Sequence, residues 1–258
     1  MPVPELSVVL LCYRAKEALA SVAEPLHREL QASGIPYELI LVANSWAGGR
    51  DRTPVEAEAF ARSHPNVVVV ARPKAGAMGW DLRSGLETAR GTHLVYLDGD
   101  GQVPTMFVLE TYRCLKTTGA GVVKGRRQIR EDGSIRTLTS LGFNVLFRLL
   151  FRTKGLWDVN GQPKGLTRVA WKRLDLRTDD WFTDAEIVLK ARAAGIEIVE
   201  IPVRFQARQA GGSHVGPDTV WEFLVNLARW RLGRHPALSG PPRSFRATAR
   251  AALDRFRW

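Results

Sequence analysis

Short apolar runs alternate with helix-patterned segments through the first half of this chain, and that alternation limits what it can fold into. Leu6–Cys12 is an unbroken apolar run; Glu38–Ala43, the valine-rich Asn66–Ala71 and Thr92–Leu97 follow. Between them lie Ala15–Ala32, which stops at Gly34, the short Pro54–Ser63, and Gly76–Arg90, which stops at Gly91. Pro104–Thr117, with proline at a tolerated early helical position, and the strand-like Gly121–Lys124 continue the series. Strands buried on both faces read as unbroken runs, and β/α alternation calls for a parallel sheet covered by helices. Right-handed crossovers then give an α/β, Rossmann-like layer with ligands at the carboxyl ends of the strands.

The second half is less regular. Arg126–Arg136 is charged and carries the turn signal Asp132-Gly133, and Leu138–Phe151 is apolar on most sides. Phe182–Ala194 has helical spacing and ends at Gly195; Glu197–Val203 is strand-like. Ser213–Pro217 is a loop, Asp218–Leu232 an amphipathic helix, Ser239–Pro242 a breaker, and Arg243–Arg257 a basic helical pattern. The two cysteines, Cys12 and Cys114, form neither a CxxC pair nor a disulfide framework. With 45% apolar residues in 258, a substantial core is expected. Met1 leads almost directly into the first strand with no basic leader, and no run reaches the roughly 18 apolar residues that span a bilayer. A cytoplasmic protein, free or peripheral at the membrane face, is the expectation. The net charge of +11, concentrated in arginines from Arg229 onward, implies attraction to phosphates or simply a solvated surface.

The sharpest local signal is Leu94-Val95-Tyr96-Leu97-Asp98-Gly99-Asp100-Gly101-Gln102, an apolar strand ending in two carboxylates one residue apart. At the end of a parallel strand both can face the ligand crevice. Two carboxylates together with phosphate oxygens suit Mg2+ or Mn2+, which would neutralise the charge growing on a leaving diphosphate. Read alone, the same residues are also an ordinary Asp-Gly turn.

Placed in order along the chain, the motifs resemble the family-two glycosyltransferases of the GT-A fold, and most closely the polyprenyl-phosphate (dolichol-phosphate mannose synthase-like) branch. They are Lys74-Ala75-Gly76-Ala77-Met78-Gly79, Ala89-Arg90-Gly91, Leu94–Leu97 with Asp98/Asp100/Gln102, Asn160-Gly161-Gln162-Pro163-Lys164, Phe182-Thr183-Asp184-Ala185-Glu186, Glu200-Ile201-Pro202-Val203, Arg208 and Gly212-Ser213. Two places depart from the family pattern. The first strand keeps only Tyr13 of P-x-Y-N-E, and Asn44-Ser45-Trp46 stands where the family has Asp-Asp-Gly-Ser.

The resemblance implies a catalytic domain over residues 1–215 followed by a helical, basic extension over 216–258. It implies inverting transfer from a nucleotide sugar to a polyprenyl phosphate, or alternatively to a soluble hydroxyl. Asp98, Asp100 and Gln102 would hold the metal. Tyr13, Asn44, Trp46, Lys74 and Gly76 would bind substrate; at the two departing positions side-chain chemistry still lets Asn44 hydrogen-bond a base edge, and Trp46 either stack on the base or only pack against a neighbouring loop. Gln162, Lys164, Glu186 and Ser213 would contact substrate, Lys164 facing an acceptor phosphate or solvent; His214 would contact the metal or simply lie exposed in its glycine-rich loop. Asp184 would be a general base for a hydroxyl acceptor or only an orienting group for a phosphate, and Arg208 would meet a phosphate bidentately. A nucleotidyltransferase would want a glycine-rich motif after the first strand, which Tyr13-Arg14-Ala15-Lys16 lacks; the acids at the strand end argue against nucleic acid. The apolar helices pack as core, or offer Phe143, Phe147, Phe151, Trp221, Phe223 and Trp230 to an anionic membrane surface.

Overall fold

The computed structural model describes residues 3–130, 134–153, 155–206 and 217–238. One seven-stranded sheet organises them, in the order β3-β2-β1-β4-β6-β5-β7. β1 (Leu6–Leu11), β2 (Tyr37–Val42), β3 (Val67–Val70) and β4 (His93–Asp98) are mutually parallel, as their apolar runs imply. β5 (Val122–Arg130) and β7 (Ile198–Phe205) form a second parallel pair. Between the two sets lies β6 (Lys164–Thr167), antiparallel to both β4 and β5. The sheet is therefore mostly parallel with one reversed strand.

Helices cover both faces. α1 (Leu19–Ala32, led in by a 3₁₀ turn at Lys16–Ala18), α2 (Thr53–Arg62) and α4 (Met106–Thr118) pack on one side around Val8, Leu10, Val95 and Leu97. On the other side, α3 (Met78–Thr88), α6 (Arg168–Leu174) and α7 (Thr183–Ala193) pack on Val9, Ile40, Leu94 and Tyr96. α5 (Ser134–Phe151) and α8 (Pro217–Arg231) build a third core with α7, in which Phe147, Phe151, Phe182, Leu227 and Trp230 are buried. α7 thus serves two cores, which explains why Thr183 to Ala191 are buried all round.

β5 runs on to Arg130, through half of the segment expected to turn, because Val122 to Arg130 pair along β7. β6 begins on the last residue of the Asn160–Lys164 motif and α6 follows it, a stretch the sequence pattern leaves unmarked because four residues of strand give too short an apolar pattern to stand out. Of the six aromatics considered for a membrane face, Phe147, Phe151 and Trp230 are core, Phe143 and Phe223 are half-buried against each other, and Trp221 is exposed. Arg208, Ser213, His214 and the Arg243–Arg257 pattern lie outside the described residues.

The Ala89-Arg90-Gly91 motif has a structural use. The buried Glu38 carboxylate accepts from the Ser7 hydroxyl (2.7 Å), the Arg90 N–H (2.6 Å) and the Arg90 Nε (3.0 Å), and the Gly91 N–H donates to Ser7 Oγ (2.7 Å). This network pins the entry of β4 to β1 and β2. Removing a buried charged acceptor strands its donors, so Glu38→Ala is expected to lose about 3 kcal/mol of stability, read as a lower urea midpoint.

Candidate active site

β4 delivers Asp98 to the carboxyl end of the sheet. The chain then turns sharply, with Gly101 at φ +73°, a left-handed conformation that glycine adopts without strain. Asp100 Oδ1 accepts the Gln102 N–H at 3.0 Å, closing the turn. Gln102 is buried, and its Nε2 donates to the Gln206 carbonyl (3.3 Å) while its own carbonyl accepts the Gln206 N–H (2.8 Å). The contacts described for Gln102 therefore tie the acidic turn to the end of β7. Gln162 does the same from the other side: its Oε1 accepts the Asp98 N–H at 2.7 Å.

Behind the turn, Asp184 at the start of α7 reaches into the sheet. Its Oδ1 accepts the Tyr96 hydroxyl at 2.6 Å and lies 2.7 Å from the Lys164 Nζ. Lys164 is fully buried, so it does not present itself to an acceptor as expected. Burial pulls its ammonium below the usual lysine range, with Asp184 opposing that and nearby Lys124 reinforcing it. Burial also pushes the Tyr96 phenol well up, and the Asp184 charge adds to the effect. In the sequence Tyr96 stands out only as part of an apolar strand. Residues two apart on a strand share a face, and that relation to Asp98 is the signal available for it.

Asp98 is pushed up to about 7, first by burial and then by the charges of Asp100 and Asp184; Gln162 and Lys164 oppose the shift. A divalent cation would relieve that crowding, and the two carboxylates suit Mg2+ or Mn2+ completed by diphosphate oxygens. Among the described residues no group of three or more His, Cys, Asp or Glu side chains forms a metal site on its own.

Among the other residues expected to bind substrate, Lys74 pairs with Asp81 and lies 4.3 Å from the Tyr13 ring centroid. Asn44 Nδ2 donates to Asp81 Oδ1 and Ser84 Oγ, both at 2.9 Å, and its Oδ1 accepts the Arg72 N–H at 2.8 Å. Asn44 is thus a buried bracket rather than an open base reader, and Asp81, which no sequence motif marks, is the hub. Trp46 is 49% exposed, which leaves its ring available for stacking.

Gly76 and Gly79 are packing positions. A side chain at Gly79 would collide with the Thr178 carbonyl, and the N–H groups of Ala77, Gly79 and Trp80 donate to the carbonyls of Asp179 and Asp180. The start of α3 is therefore closed by the 178–180 loop instead of standing open to phosphate. Glu186 holds that loop: it accepts the N–H groups of Arg177 and Thr178 and the Thr178 hydroxyl, and pairs with Lys190 at 2.5 Å. Two positions apart on a helix means roughly 200° of rotation, so Asp184 and Glu186 face opposite ways.

The raised Asp98 gives a pH prediction. An acid whose folded-state pKa lies above its unfolded value costs stability as pH rises toward the folded value, and the whole cost is present above about 7. Asp98→Asn is expected to raise the melting temperature of metal-free protein at pH 8, with the gain shrinking toward pH 5. Asp100→Ala is expected to abolish Mn2+-dependent nucleotide binding in calorimetric titration while leaving the melting profile cooperative.

Residues 7–166 match the family Glycosyl transferase family 2. The dolichyl-phosphate beta-glucosyltransferase ALG5A of Trichomonas vaginalis is 26% identical over 214 residues, 78% of this chain and 65% of its own length. The dolichyl-phosphate beta-glucosyltransferase of Drosophila melanogaster is 27% identical over 242 residues, 85% of this chain and 72% of its own. The chain thus spans just under two thirds of the Trichomonas relative. Among solved structures, the glucosyl-3-phosphoglycerate synthase of Mycobacterium tuberculosis, crystallised with Mn2+, UDP and phosphoglyceric acid, shares the fold with a TM-score of 0.69 at 19% identity, over 93% of this chain and 80% of its own. The match over more than half of its length, on a sheet of this order and an acidic turn in this place, makes the chain a member of glycosyltransferase family 2.

Proposed function

We propose that the chain transfers a sugar, with inversion, from a nucleoside diphosphate to a polyprenyl phosphate. The observation that carries the acceptor class is the commitment of Asp184 Oδ1 to both Tyr96 and Lys164. A hydroxyl acceptor needs a base for its proton; a phosphate monoester arrives as an anion and needs none. Asp184 then acts as a fixed negative group that orders the floor of the site. An acceptor phosphate oxygen forms the new bond to the anomeric carbon as the bond to the diphosphate breaks, and the nucleoside diphosphate leaves with the electron pair.

Asp98 and Asp100 hold Mg2+ or Mn2+ in this reading, and the metal supplies Lewis-acid stabilisation of the leaving diphosphate. Gln162 and Gln102 keep the acidic turn in shape, Trp46 stacks on the base, and Tyr13 with Lys74 walls the donor side. Arg208 meets a phosphate. The dolichyl-phosphate glucosyltransferase relatives support the same acceptor class and, with the UDP-bound neighbour, make UDP-glucose the first donor to try. No helix among the described residues is long and apolar enough to cross a membrane. In this reading the lipid phosphate is met at the bilayer surface.

Purified protein with UDP-glucose and Mn2+ is expected to glycosylate a polyprenyl phosphate dispersed in detergent and to leave the matching polyprenol untouched. Equal transfer to the alcohol, or to a soluble hydroxyl, contradicts the proposal. Arg208→Ala is expected to lower kcat on the order of a hundredfold, as loss of a charge-stabilising contact does.

A further inference from the structure

Two neighbouring helices of this protein are apolar on both sides. α5 and α8 send Phe147, Phe151, Leu227 and Trp230 into the third core and touch through Phe143 and Phe223, with ring centroids 5.2 Å apart. Their opposite faces are also apolar. Leu141, Val145 and Leu149, spaced by four along α5, are 60%, 46% and 73% exposed, and Trp221 and Leu224 of α8 are 69% and 40% exposed. Leu141, Val145 and Leu149 lie on the side of α5 opposite Phe143, Phe147 and Phe151, and Trp221 on the side of α8 opposite Phe223, which packs against Phe143. Exposed apolar residues at helical spacing on adjacent elements form a patch, which a soluble surface does not need.

The charge around the patch is positive. Exposed Trp157 lies beside α5, with the guanidinium of Arg148 at 4.3 Å and that of Arg126 at 5.3 Å from its ring centroid. Arg229 is exposed on α8. The α5 segment contains no acid, and Glu222 of α8 turns inward, accepting the Trp181 N–H at 3.4 Å. Apolar residues flanked by tryptophan and arginine, with no outward carboxylate among the described side chains of the two helices, match the boundary between acyl chains and anionic headgroups.

We propose that the outward faces of α5 and α8 dock this protein on an anionic phospholipid surface. The proposal deepens the lipid-acceptor reading, but its test needs no acceptor. The full chain is floated with vesicles of phosphatidylglycerol and phosphatidylcholine, or of phosphatidylcholine alone, at low and high salt. Wild type is expected to float with the anionic vesicles at low salt, and Leu141→Ser/Val145→Ser/Leu149→Ser to lose at least about tenfold in partition. Because these side chains are exposed, the variant is expected to keep its melting temperature and its turnover of detergent-dispersed acceptor. If its melting temperature falls, Trp221→Ser/Leu224→Ser reads the same surface from the other helix. Equal flotation of wild type and both variants overturns the proposal, as does wild type that stays soluble at low salt. Loss of a wild-type dimer in the variants, without lipid binding, would assign the face to a second copy of the chain instead. Failure of docking with turnover in detergent preserved would remove this surface and leave the reaction standing.

Discussion

A lysine, a carboxylate and a phenol meet inside the sheet, from β6, α7 and β4. Taking an ammonium and a carboxylate out of water costs several kcal/mol for each ion, and the cost is recovered only when geometry and partners are good. Here Lys164 and Asp184 stand 2.7 Å apart and Tyr96 adds a hydrogen bond at 2.6 Å. Losing Asp184 leaves both the Lys164 ammonium and the Tyr96 hydroxyl buried without it. The pairing therefore fixes the reversed strand β6 against β4 and sets α7 at the floor of the crevice. The acidic turn is close enough that its Asp98 feels the Asp184 charge.

A second set of contacts joins the ends of the crevice. Lys124 pairs with Glu200 at 2.8 Å, and Glu200 accepts the N–H groups of Trp157 and Asp158. Burial alone would raise Asp158, but the Arg127 guanidinium beside it holds its carboxyl well below the usual carboxylate range. On the far side, Asp180 accepts the Phe182 N–H at 2.9 Å and the Asn226 Nδ2 at 2.7 Å, linking the loop that closes α3 to α8. α8 is thus hydrogen-bonded to the loop that closes α3, and α5 to the stretch after Asp158, where Asn144 Oδ1 accepts the Val159 N–H at 2.8 Å.

Much of this is legible in the residue order. Runs such as Leu6–Cys12 and Thr92–Leu97 announce buried parallel strands, and Asp98/Asp100 after the fourth run mark the candidate site at the strand end. What escapes is set by tertiary partners. Lys164 reads as a lysine facing an acceptor phosphate or solvent until β6 is seen to be sandwiched between β4 and β5. Asn44 reads as a base contact until Asp81, Ser84 and Arg72 are seen to use its amide. Gly76 reads as a substrate contact, yet the Asp179 and Asp180 carbonyls accept the N–H groups that open α3. Local pattern reports periodicity and turn chemistry; it does not report which polar group has already found its partner inside the fold.

In the proposed reaction no proton is taken from the acceptor as the sugar moves. A solvent isotope comparison tests this most directly: the rate of transfer to detergent-dispersed polyprenyl phosphate, measured under single-turnover conditions in H2O and D2O. The rates are expected to be the same in both solvents. A clearly slower reaction in D2O, varying linearly with deuterium content, would mean that one proton is in flight at the transition state, and would contradict the role given to Asp184.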